Sequence, residues 1–303
     1  MNNIKIIRKD RPIESFITNR QDNKAYLVYQ DNNLEILRYH MPLDQIGIIR
    51  TVEQKGIIEI YNIEEGSLEL TMNQEKIVLN DGDMFIVNYD SKNTPFKILK
   101  PAMFTVTTNQ PVFTRDKEEG EELNIIMDDL QDKDGDTREH CNRVQLMAMA
   151  LALELKIDPD YYDNLFCASR FHDVGKTKIP LDIIIKAASL NEAEYEIMKK
   201  HSEDGYEIVK SSFGEAIAKP VLQHHERIDG LGYPNHLVNE EICIEAKIIS
   251  VVDAYDAMRT IRPYNKGKSK QEAIDQLIAG KGSQFDEQCV DAFINVLNKH
   301  KEW

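Results

Sequence analysis

The chain has 303 residues, 42% of them hydrophobic and 29% charged, a composition typical of a soluble globular protein long enough for two domains. Its formal net charge of −15 argues against nucleic acid as a partner, because non-specific binding needs a basic surface that displaces counterions. The acidity is uneven: residues 1–115 hold 14 basic and 15 acidic side chains, whereas the remaining residues hold 23 and 37.

The cysteine spacing and the apolar runs indicate a cytoplasmic protein. The four cysteines are far apart and form no C-x-x-C pair, so free thiols in a reducing compartment are expected rather than disulfides. The amino-terminal segment is charged and lacks the apolar core of a signal peptide. No apolar run is long enough to cross a bilayer, so we expect no membrane partner.

The first part of the chain, residues 1–114, has the pattern of a β-domain. Its apolar runs are short and rich in β-branched and aromatic residues, and turn residues separate them. Many short strands at this spacing predict a barrel or sandwich. The clearest strand-like runs are 57–61, 67–72 and 84–87, with turns expected at 65–66 and 80–83.

This β-domain resembles a known fold over a limited stretch. Residues 65–70 and 79–83 are similar to the second half of a cupin-type β-barrel. Metal-binding cupins place histidines on these strands, and His40 is the only histidine that this domain offers, so the barrel is expected to lack a metal. Two roles stay open: a module for dimerisation or packing, and a ligand-sensing domain that regulates the rest of the chain.

A charged segment, residues 115–135, follows the β-domain. Its apolar residues Leu123, Ile126, Met127 and Leu130 recur at helical spacing, which predicts a connecting helix. Such a helix could carry a signal between domains, form the seam of a homodimer or act as a solvated linker.

Residues 136–303 have a helical pattern throughout. Asp158 before Pro159 predicts a helix start that runs to about residue 171, and Asn191 with Glu194 forms a capping-box pattern. The expected fold class is therefore a two-domain α+β chain, in which a cupin-like β-barrel or sandwich precedes an all-α bundle. The other predicted helices begin near residue 137 and cover about 214–226, 244–260, 270–279 and 286–299.

Histidines and carboxylates lie on the apolar faces of these helices. His140 shares a face with Val144, and Asp253 shares one with Ile249. One such residue is usually a hydrogen-bonded core side chain, but several that point into one interior are hard to satisfy without a metal. Imidazole and carboxylate together suit a borderline first-row metal, and ligands spread over several helices favour a hydrolytic site over a structural zinc. The complete candidate set is His140, His172, Asp173, His201, His224, His225 and Asp253.

Beyond these residues, the helical part resembles the HD-GYP family, the branch of the HD phosphohydrolases associated with cyclic di-GMP hydrolysis. The string from His224 to Pro234, which contains His-His-Glu and Gly-Tyr-Pro, is the most specific match. The family loop within it consists of Gly230, Gly232, Tyr233 and Pro234. The other matching segments are 172–176, 198–201, 253–258, 262–264 and 284–286.

The resemblance implies a pair of divalent metals, with iron or manganese favoured. Asp173 would bridge the pair. A third metal in some family members is held by a carboxylate one helical turn before the first histidine, where this chain has Asp136; a helix N-cap is the alternative role of that residue. The implied first metal has His140, His172, Asp173 and Asp253 as ligands, and the second has Asp173, His201, His224 and His225.

A bridged metal pair suits phosphodiester hydrolysis, because it lowers the pKa of a bound water and neutralises charge on the phosphoryl oxygens. The expected nucleophile is a metal-bridging hydroxide, so Asp173 counts as catalytic. Lys176 is expected to bind phosphate or assist the leaving group, with an ordinary surface lysine as the alternative. Arg262 suits a phosphate contact and Tyr264 a hydrogen bond or stacking, although Arg262 is also suited to a structural salt bridge.

The predicted function is hydrolysis of cyclic di-GMP to pGpG, with a further step to GMP left open. Two departures from the family pattern, Ala187-Ala188 after Lys186 and Arg259-Thr260-Ile261 before Arg262, lie around the substrate and put its identity in question. The alternatives are a non-catalytic cyclic di-GMP sensor or interaction module, and an HD-type hydrolase of another nucleotide. Expected partners are a cyclic dinucleotide, a second copy of the chain, and signalling proteins at the Gly-Tyr-Pro loop.

Overall fold

A computed structural model of the chain describes residues 12–19, 23–50, 54–72, 75–114, 117, 125, 137–186, 188–260, 267–300 and 303. The chain divides into two compact units, Met1–Ile126 and Met127–Trp303. The boundary falls inside the predicted linker, of which only Lys117 and Ile125 are described, so the connecting helix and the predicted domain limits stay predictions.

The first unit is an antiparallel β-sheet, which confirms the predicted all-β class. Its strands run in the order β1-β2-β3-β8-β5-β6, while β4 pairs with β8 and β7 pairs with β5. Inward-facing apolar residues such as Leu37, Ile63 and Ile98 are fully buried and form the core of this unit. The strands are β1 Glu14–Asn19, β2 Asn23–Gln30, β3 Glu35–Met41, β4 Ile46–Ile49, β5 Ile58–Met72, β6 Glu75–Asn80, β7 Met84–Asn88 and β8 Thr94–Thr108.

One predicted turn in this sheet was wrong. Residues 57–61 and 67–72 were expected to be separate strands, but they belong to the single strand β5, which is 15 residues long. Gly66 has φ of +91° and lies where the register between β5 and β8 shifts, so it forms a bulge and not a turn. A Cβ at Gly66 would lie 2.1 Å from the carbonyl oxygen of Pro101, which excludes any larger residue there.

The second unit is helical, as predicted. Its longest helix, α1, contacts α2, α7 and α9, and buried residues such as Val144, Leu165 and Phe293 fill the space between them. Among the described residues the helices are α1 Thr137–Leu155, α2 Tyr162–Phe171, α3 Leu181–Ile184, α4 Glu192–Lys199, α5 His201–Phe213, α6 Glu215–Gln223, α7 Ile244–Arg259, α8 Lys270–Gly280 and α9 Glu287–Lys299. Short 3-10 turns occupy Pro159–Tyr161, Val174–Lys178 and Asn239–Glu241.

The helix boundaries follow the predicted caps with two differences. Asn191 and Glu194 form the expected capping box at the start of α4. Asp158 accepts a hydrogen bond from the backbone N–H of Asp160, as expected of a cap, but the 3-10 turn it opens precedes α2 instead of continuing it. Helix α6 ends at Gln223, and the predicted end at residue 226 was wrong. Within the part of the chain that the structure describes, no helix combines the length and the apolar character that crossing a bilayer requires.

Candidate metal centre

The predicted ligands come from five places in the helical unit that converge on one interior point. They lie mostly at helix ends: His201 is the first residue of α5, and the His172-Asp173 and His224-His225 pairs directly follow α2 and α6. His140 and Asp253 lie within α1 and α7. Helix ends bring side chains of several helices to a common point without breaking the core packing.

Close backbone packing holds two of these places together. The turn Val174–Lys178, which follows Asp173, lies against the beginning of α5. A Cβ at Gly175 would lie 1.9 Å from the carbonyl oxygen of His201 and 2.5 Å from the backbone nitrogen of Gly205. Only glycine permits this approach, which sets the spacing between Asp173 and His201.

A first cluster contains His140, His172 and Asp173, whose ligand atoms all lie within 4.8 Å of one another. The Nε2 atoms of His140 and His172 are 3.3 Å apart. Asp253 joins them, since its Oδ1 is 3.2 Å from Nε2 of His140 and 3.8 Å from Nε2 of His172. The four residues predicted for one metal therefore lie together.

A second cluster contains His201, His224 and His225, whose ligand atoms also lie within 4.8 Å of one another. The Nε2 atoms of His201 and His224 are 3.3 Å apart. His201 and His224 are each 1% exposed, so this cluster lies in the protein interior.

Asp173 faces both clusters. Its Oδ2 is 3.7 Å from Nε2 of His140 and 3.6 Å from Nε2 of His172, while its Oδ1 is 3.6 Å from Nε2 of His201. One carboxylate thus presents a different oxygen to each cluster. Lys176 also contacts this carboxylate, with Nζ 2.6 Å from Oδ2.

Hydrogen bonds at the outer ring nitrogens fix the orientation of the imidazoles. The Nδ1 atoms of His172, His201 and His224 contact the backbone carbonyl oxygens of Ser169, Met198 and Val221 at 2.8, 2.7 and 2.6 Å. A carbonyl oxygen only accepts, so each Nδ1 must carry the proton. In the neutral imidazole, Nε2 then presents its lone pair to the cluster.

The donor geometry fits divalent metals. Two Nε2 lone pairs that face each other at 3.3 Å, as in His201 and His224, repel unless a cation lies between them. Ligand atoms bound about 2.1 Å from one metal lie about 3.0–3.4 Å from each other, which is close to the shortest separations in both clusters. Each cluster could therefore hold one metal, and the outer hydrogen bonds are those that metal-ligating histidines typically make.

The electrostatics differ between the clusters. Burial disfavours the charged form of His140, but hydrogen bonds to Asp253 and Asp256 outweigh this effect and raise the pKa of His140 to about 9. Burial lowers the pKa of His225 to about 3, and it also lowers the pKa of His201 and of His224. Burial opposes ionisation of Asp173, but Lys176 and the nearby imidazoles hold its pKa well below the usual range. The second cluster thus offers neutral imidazoles, whereas His140 must release a proton when a metal binds.

Two residues at the site were not predicted as functional. Asp256 accepts a hydrogen bond from Nδ1 of His140 at 2.7 Å, and Arg143 donates to both oxygens of Asp256 at 2.7 and 2.9 Å. The sequence signal was present, because Asp256 follows Asp253 by three residues and shares its face of α7. Arg143 follows His140 by three residues on α1 in the same way.

The family loop packs against the second cluster. The ring of Tyr233 stacks on His225, with centroids 4.8 Å apart and an interplanar angle of 30°. A Cβ at Gly232 would lie 2.3 Å from the backbone nitrogen of Arg227, so only glycine allows the loop to close. The buried carboxylate of Glu226 accepts hydrogen bonds from the backbone N–H groups of Asn235 and Leu237, which fixes the loop beyond Pro234.

An exposed aromatic residue extends this surface. Tyr195 is 47% exposed, and its ring meets the edge of Tyr233 with centroids 6.5 Å apart. The ammonium of Lys199 lies 5.0 Å from the centroid of Tyr195 and 5.8 Å from that of Tyr233. A base and a phosphate could contact such a surface, although the sequence pattern gave no reason to single out Tyr195.

Some predicted residues lie outside the described part of the chain. They include Asp136, the candidate ligand of a third metal, and the expected substrate contacts Arg262 and Tyr264. Ala187 and Ile261, which depart from the family pattern, also lie outside it.

Comparison with known proteins identifies the family to which the chain belongs. A family profile described as "HD domain" matches residues 124–289. The chain is 35% identical over 182 residues to the cyclic di-GMP phosphodiesterase response regulator RpfG of Xanthomonas campestris pv. campestris, covering 59% of this chain and 48% of that protein. It is 35% identical over 162 residues to 3'3'-cGAMP-specific phosphodiesterase 2 of Vibrio cholerae, covering 52% of this chain and 31% of that protein.

A solved structure, Bd1817, an HDG"Y"P protein from Bdellovibrio bacteriovorus, has 18% identity and a TM-score of 0.47, and the match covers 84% of this chain and all of that one. The chain spans about half the length of RpfG and about a third of the length of the V. cholerae enzyme. Since the matched profile covers more than half of the chain, this protein belongs to the HD domain family, with the His172-Asp173 pair of that family and the Gly232-Tyr233-Pro234 string of its HD-GYP branch.

Proposed function

We propose that the helical unit hydrolyses a phosphodiester bond of cyclic di-GMP to give pGpG, at a pair of divalent metals bridged by Asp173. The observation that carries this proposal is the position of the Asp173 carboxylate, whose two oxygens face two different histidine clusters. A carboxylate in this position suits a metal pair better than two independent structural sites.

The residues of the site would hold the metals and contact the phosphate of the substrate. When bound, a divalent metal pair supplies an activated water and neutralises charge on a phosphoryl group. The lone pairs of the five imidazoles and the carboxylates of Asp173 and Asp253 would hold that pair. Lys176, which lies beside Asp173 and is partly exposed, is suited to bind a phosphate oxygen or to donate a proton to the departing 3′-oxygen.

We favour iron or manganese as the metal. All the donors described at the site are imidazole nitrogens and carboxylate oxygens, which suit both ions. Cys141 directly follows His140, but burial raises the pKa of its thiol, so it stays protonated and is a poor ligand. Two metals are proposed for the described clusters, and Asp136 is the proposed ligand if a third binds.

The relatives of this chain support the substrate class. Relatives named as cyclic di-GMP and 3'3'-cGAMP phosphodiesterases match 59% and 52% of this chain. The second relative makes 3'3'-cGAMP the competing substrate. Arg262 and Tyr264 are proposed to contact the substrate together with Lys176, and a further step from pGpG to GMP belongs to the same proposal.

We further propose that the β unit regulates the helical unit and that the Gly-Tyr-Pro loop contacts signalling proteins. Leu231, within the loop, is 74% exposed, so its apolar side chain is accessible to a protein partner. A homodimer is proposed as the assembly through which the β unit would act.

The test is anaerobic purification of the full chain, loading with Fe²⁺ or Mn²⁺, and incubation with cyclic di-GMP, 3'3'-cGAMP and pGpG in parallel. We expect cyclic di-GMP to be opened to pGpG, and Asp173→Ala to abolish both metal binding and turnover. Asp291→Asn, which removes an exposed partner of Lys281, is the matched control and should keep full activity. Binding of cyclic di-GMP without cleavage by the metal-loaded protein would refute the enzyme and favour a sensor, while cleavage of 3'3'-cGAMP alone would refute only the substrate.

A further inference from the structure

The ring of His140 is held by a carboxylate that lies outside the two ligand clusters. Asp256 is 4% exposed, and its Oδ2 accepts from Nδ1 of His140 at 2.7 Å. Arg143 donates from Nε to Oδ1 at 2.7 Å and from Nη2 to Oδ2 at 2.9 Å. The hydroxyl of Thr260 adds a contact to Oδ2 at 3.2 Å. Protein donors therefore engage both oxygens, so Asp256 acts on His140 and does not serve as a ligand itself.

This arrangement distinguishes His140 from its neighbours. His172, His201 and His224 each direct Nδ1 at a neutral backbone carbonyl oxygen three residues earlier. His140 directs Nδ1 at a charged carboxylate. A hydrogen bond to a carboxylate is stronger than one to a neutral carbonyl and makes the opposite ring nitrogen a better metal donor.

The two clusters consequently differ in negative charge. The first cluster faces the carboxylates of Asp173 and Asp253 directly, and it faces Asp256 through the ring of His140. The second cluster faces the other oxygen of Asp173, and the charges of Asp253 and Asp173 both act on His225. Asp256 therefore adds to the attraction between the first cluster and a divalent cation.

Arg143 gives Asp256 a fixed orientation. Its planar guanidinium makes two parallel contacts with the carboxylate, a geometry that a single ammonium cannot reproduce. Since Arg143 follows His140 by three residues on α1, the same helix supplies the ligand and the clamp on its partner. The clamp keeps Asp256 from turning toward the cluster or away from His140.

We propose that Asp256, clamped by Arg143, is a positioning residue that fixes His140 as an Nε2 ligand and raises the metal affinity of the first cluster. The inference rests on the proposed metal pair, but it concerns metal affinity and not the substrate. Loss of the Asp256 charge should weaken metal binding at the first cluster and leave the second unchanged, because Asp256 contacts a ligand of the first cluster only.

The test is Asp256→Asn in the full chain, loaded anaerobically with Mn²⁺ and titrated against a competing chelator. Asparagine keeps the shape of the side chain but removes its charge, and its amide cannot satisfy both His140 and Arg143. We expect one of the two Mn²⁺ ions to bind roughly 10- to 100-fold more weakly while the other is unchanged. The electron paramagnetic resonance spectrum should change from that of a coupled pair to that of an isolated Mn²⁺ ion.

Matched variants separate positioning from folding. Asp286→Asn makes the same chemical change at a carboxylate that contacts Lys247 of α7 at 3.6 Å, away from the clusters, and it should bind both ions normally. Arg143→Lys keeps the charge but loses the paired contact, and it should weaken the same single ion to a smaller extent.

Wild-type affinity for both ions in Asp256→Asn, or equal weakening of both, would overturn the inference. If Asp256→Asn does not fold, Arg143→Lys decides, and unchanged binding in that variant would also overturn it. Wild-type protein that binds two ions but cleaves no cyclic dinucleotide would refute the proposed function while leaving this inference intact.

Discussion

Gly175→Ala tests whether the spacing between the two clusters matters. The added Cβ would lie 1.9 Å from the carbonyl oxygen of His201 and 2.5 Å from the backbone nitrogen of Gly205. Both are backbone atoms that no side-chain rotation can move aside. To reach an ordinary contact, the turn Val174–Lys178 and the start of α5 must separate by about 1 Å or more.

This separation acts directly on the proposed bridge. Asp173 lies two residues before Gly175, and its Oδ1 is 3.6 Å from Nε2 of His201. Lengthening that distance by about 1 Å would prevent one carboxylate from serving both clusters. Overpacking of this kind costs about 1–3 kcal/mol of stability, and a 1 Å displacement at a catalytic site lowers turnover by about 100-fold.

The assay combines thermal unfolding, metal content and kcat/KM on cyclic di-GMP for the metal-loaded full chain. Gly280→Ala is the matched control, because its Cβ would lie 2.8 Å from the ring of Phe285 at the end of α8, remote from the clusters. The control should lose stability but keep its metals and its kcat. If Gly175→Ala retained both metals and turnover within about threefold of wild type, the reasoning from cluster spacing would be wrong.

Three further predictions concern stability and substrate binding. Glu245 is 4% exposed with a buried Oε2 that lacks a hydrogen-bond partner, and burial raises its pKa, so Glu245→Gln, which removes the buried charge, should stabilise the protein at pH 7. Because the pKa of Glu245 is higher in the folded than in the unfolded protein, its ionisation lowers the free energy of unfolding as pH rises through the ordinary glutamate range. In urea unfolding, the gain in stability from Glu245→Gln should therefore shrink as the pH is lowered toward 4. Tyr195→Ala should raise KM for cyclic di-GMP about 10-fold without changing metal content, whereas Tyr195→Phe should resemble wild type; equal effects of both would exclude base stacking. Chelation of the loaded protein should lower its free energy of unfolding by about 4 kcal/mol for each metal that was present at about 1,000 times its dissociation constant, and Asp173→Ala should show no such change in thermal melts.

The ligand set was predictable because it violates the helical pattern. His140 and Asp253 occupy positions where the apolar periodicity calls for core residues, and such violations accumulate at functional sites. The all-α class and the capping box at Asn191 were predictable for the opposite reason, since local and global signals agree there. Asp256 was missed because its spacing places it on the same face of α7 as Asp253 but does not show which helix packs there. The packing of α1 against α7 brings Asp256 to His140.

The bulge at Gly66 and the end of α6 could not be predicted from the sequence. Gly66 signals a left-handed backbone conformation, which serves a turn or a bulge equally well. The long partner strand β8 selects the bulge by pairing with β5 on both sides of Gly66. The end of α6 at Gln223 is similar: His225 lies four residues after Val221, at helical spacing, but the helix ends before it, and His224 and His225 join His201 in the second cluster.

The proposed function depends on Asp173, which would bridge the metals of the two histidine clusters to form one hydrolytic pair. Elemental analysis and cyclic di-GMP turnover, measured on the same anaerobic preparation of the full chain and of Asp173→Ala, test it most directly. We expect a pair of divalent ions per chain with turnover in the wild type, and loss of both in the variant. Turnover retained in Asp173→Ala, or full turnover by a wild-type chain that holds a single ion, would contradict it.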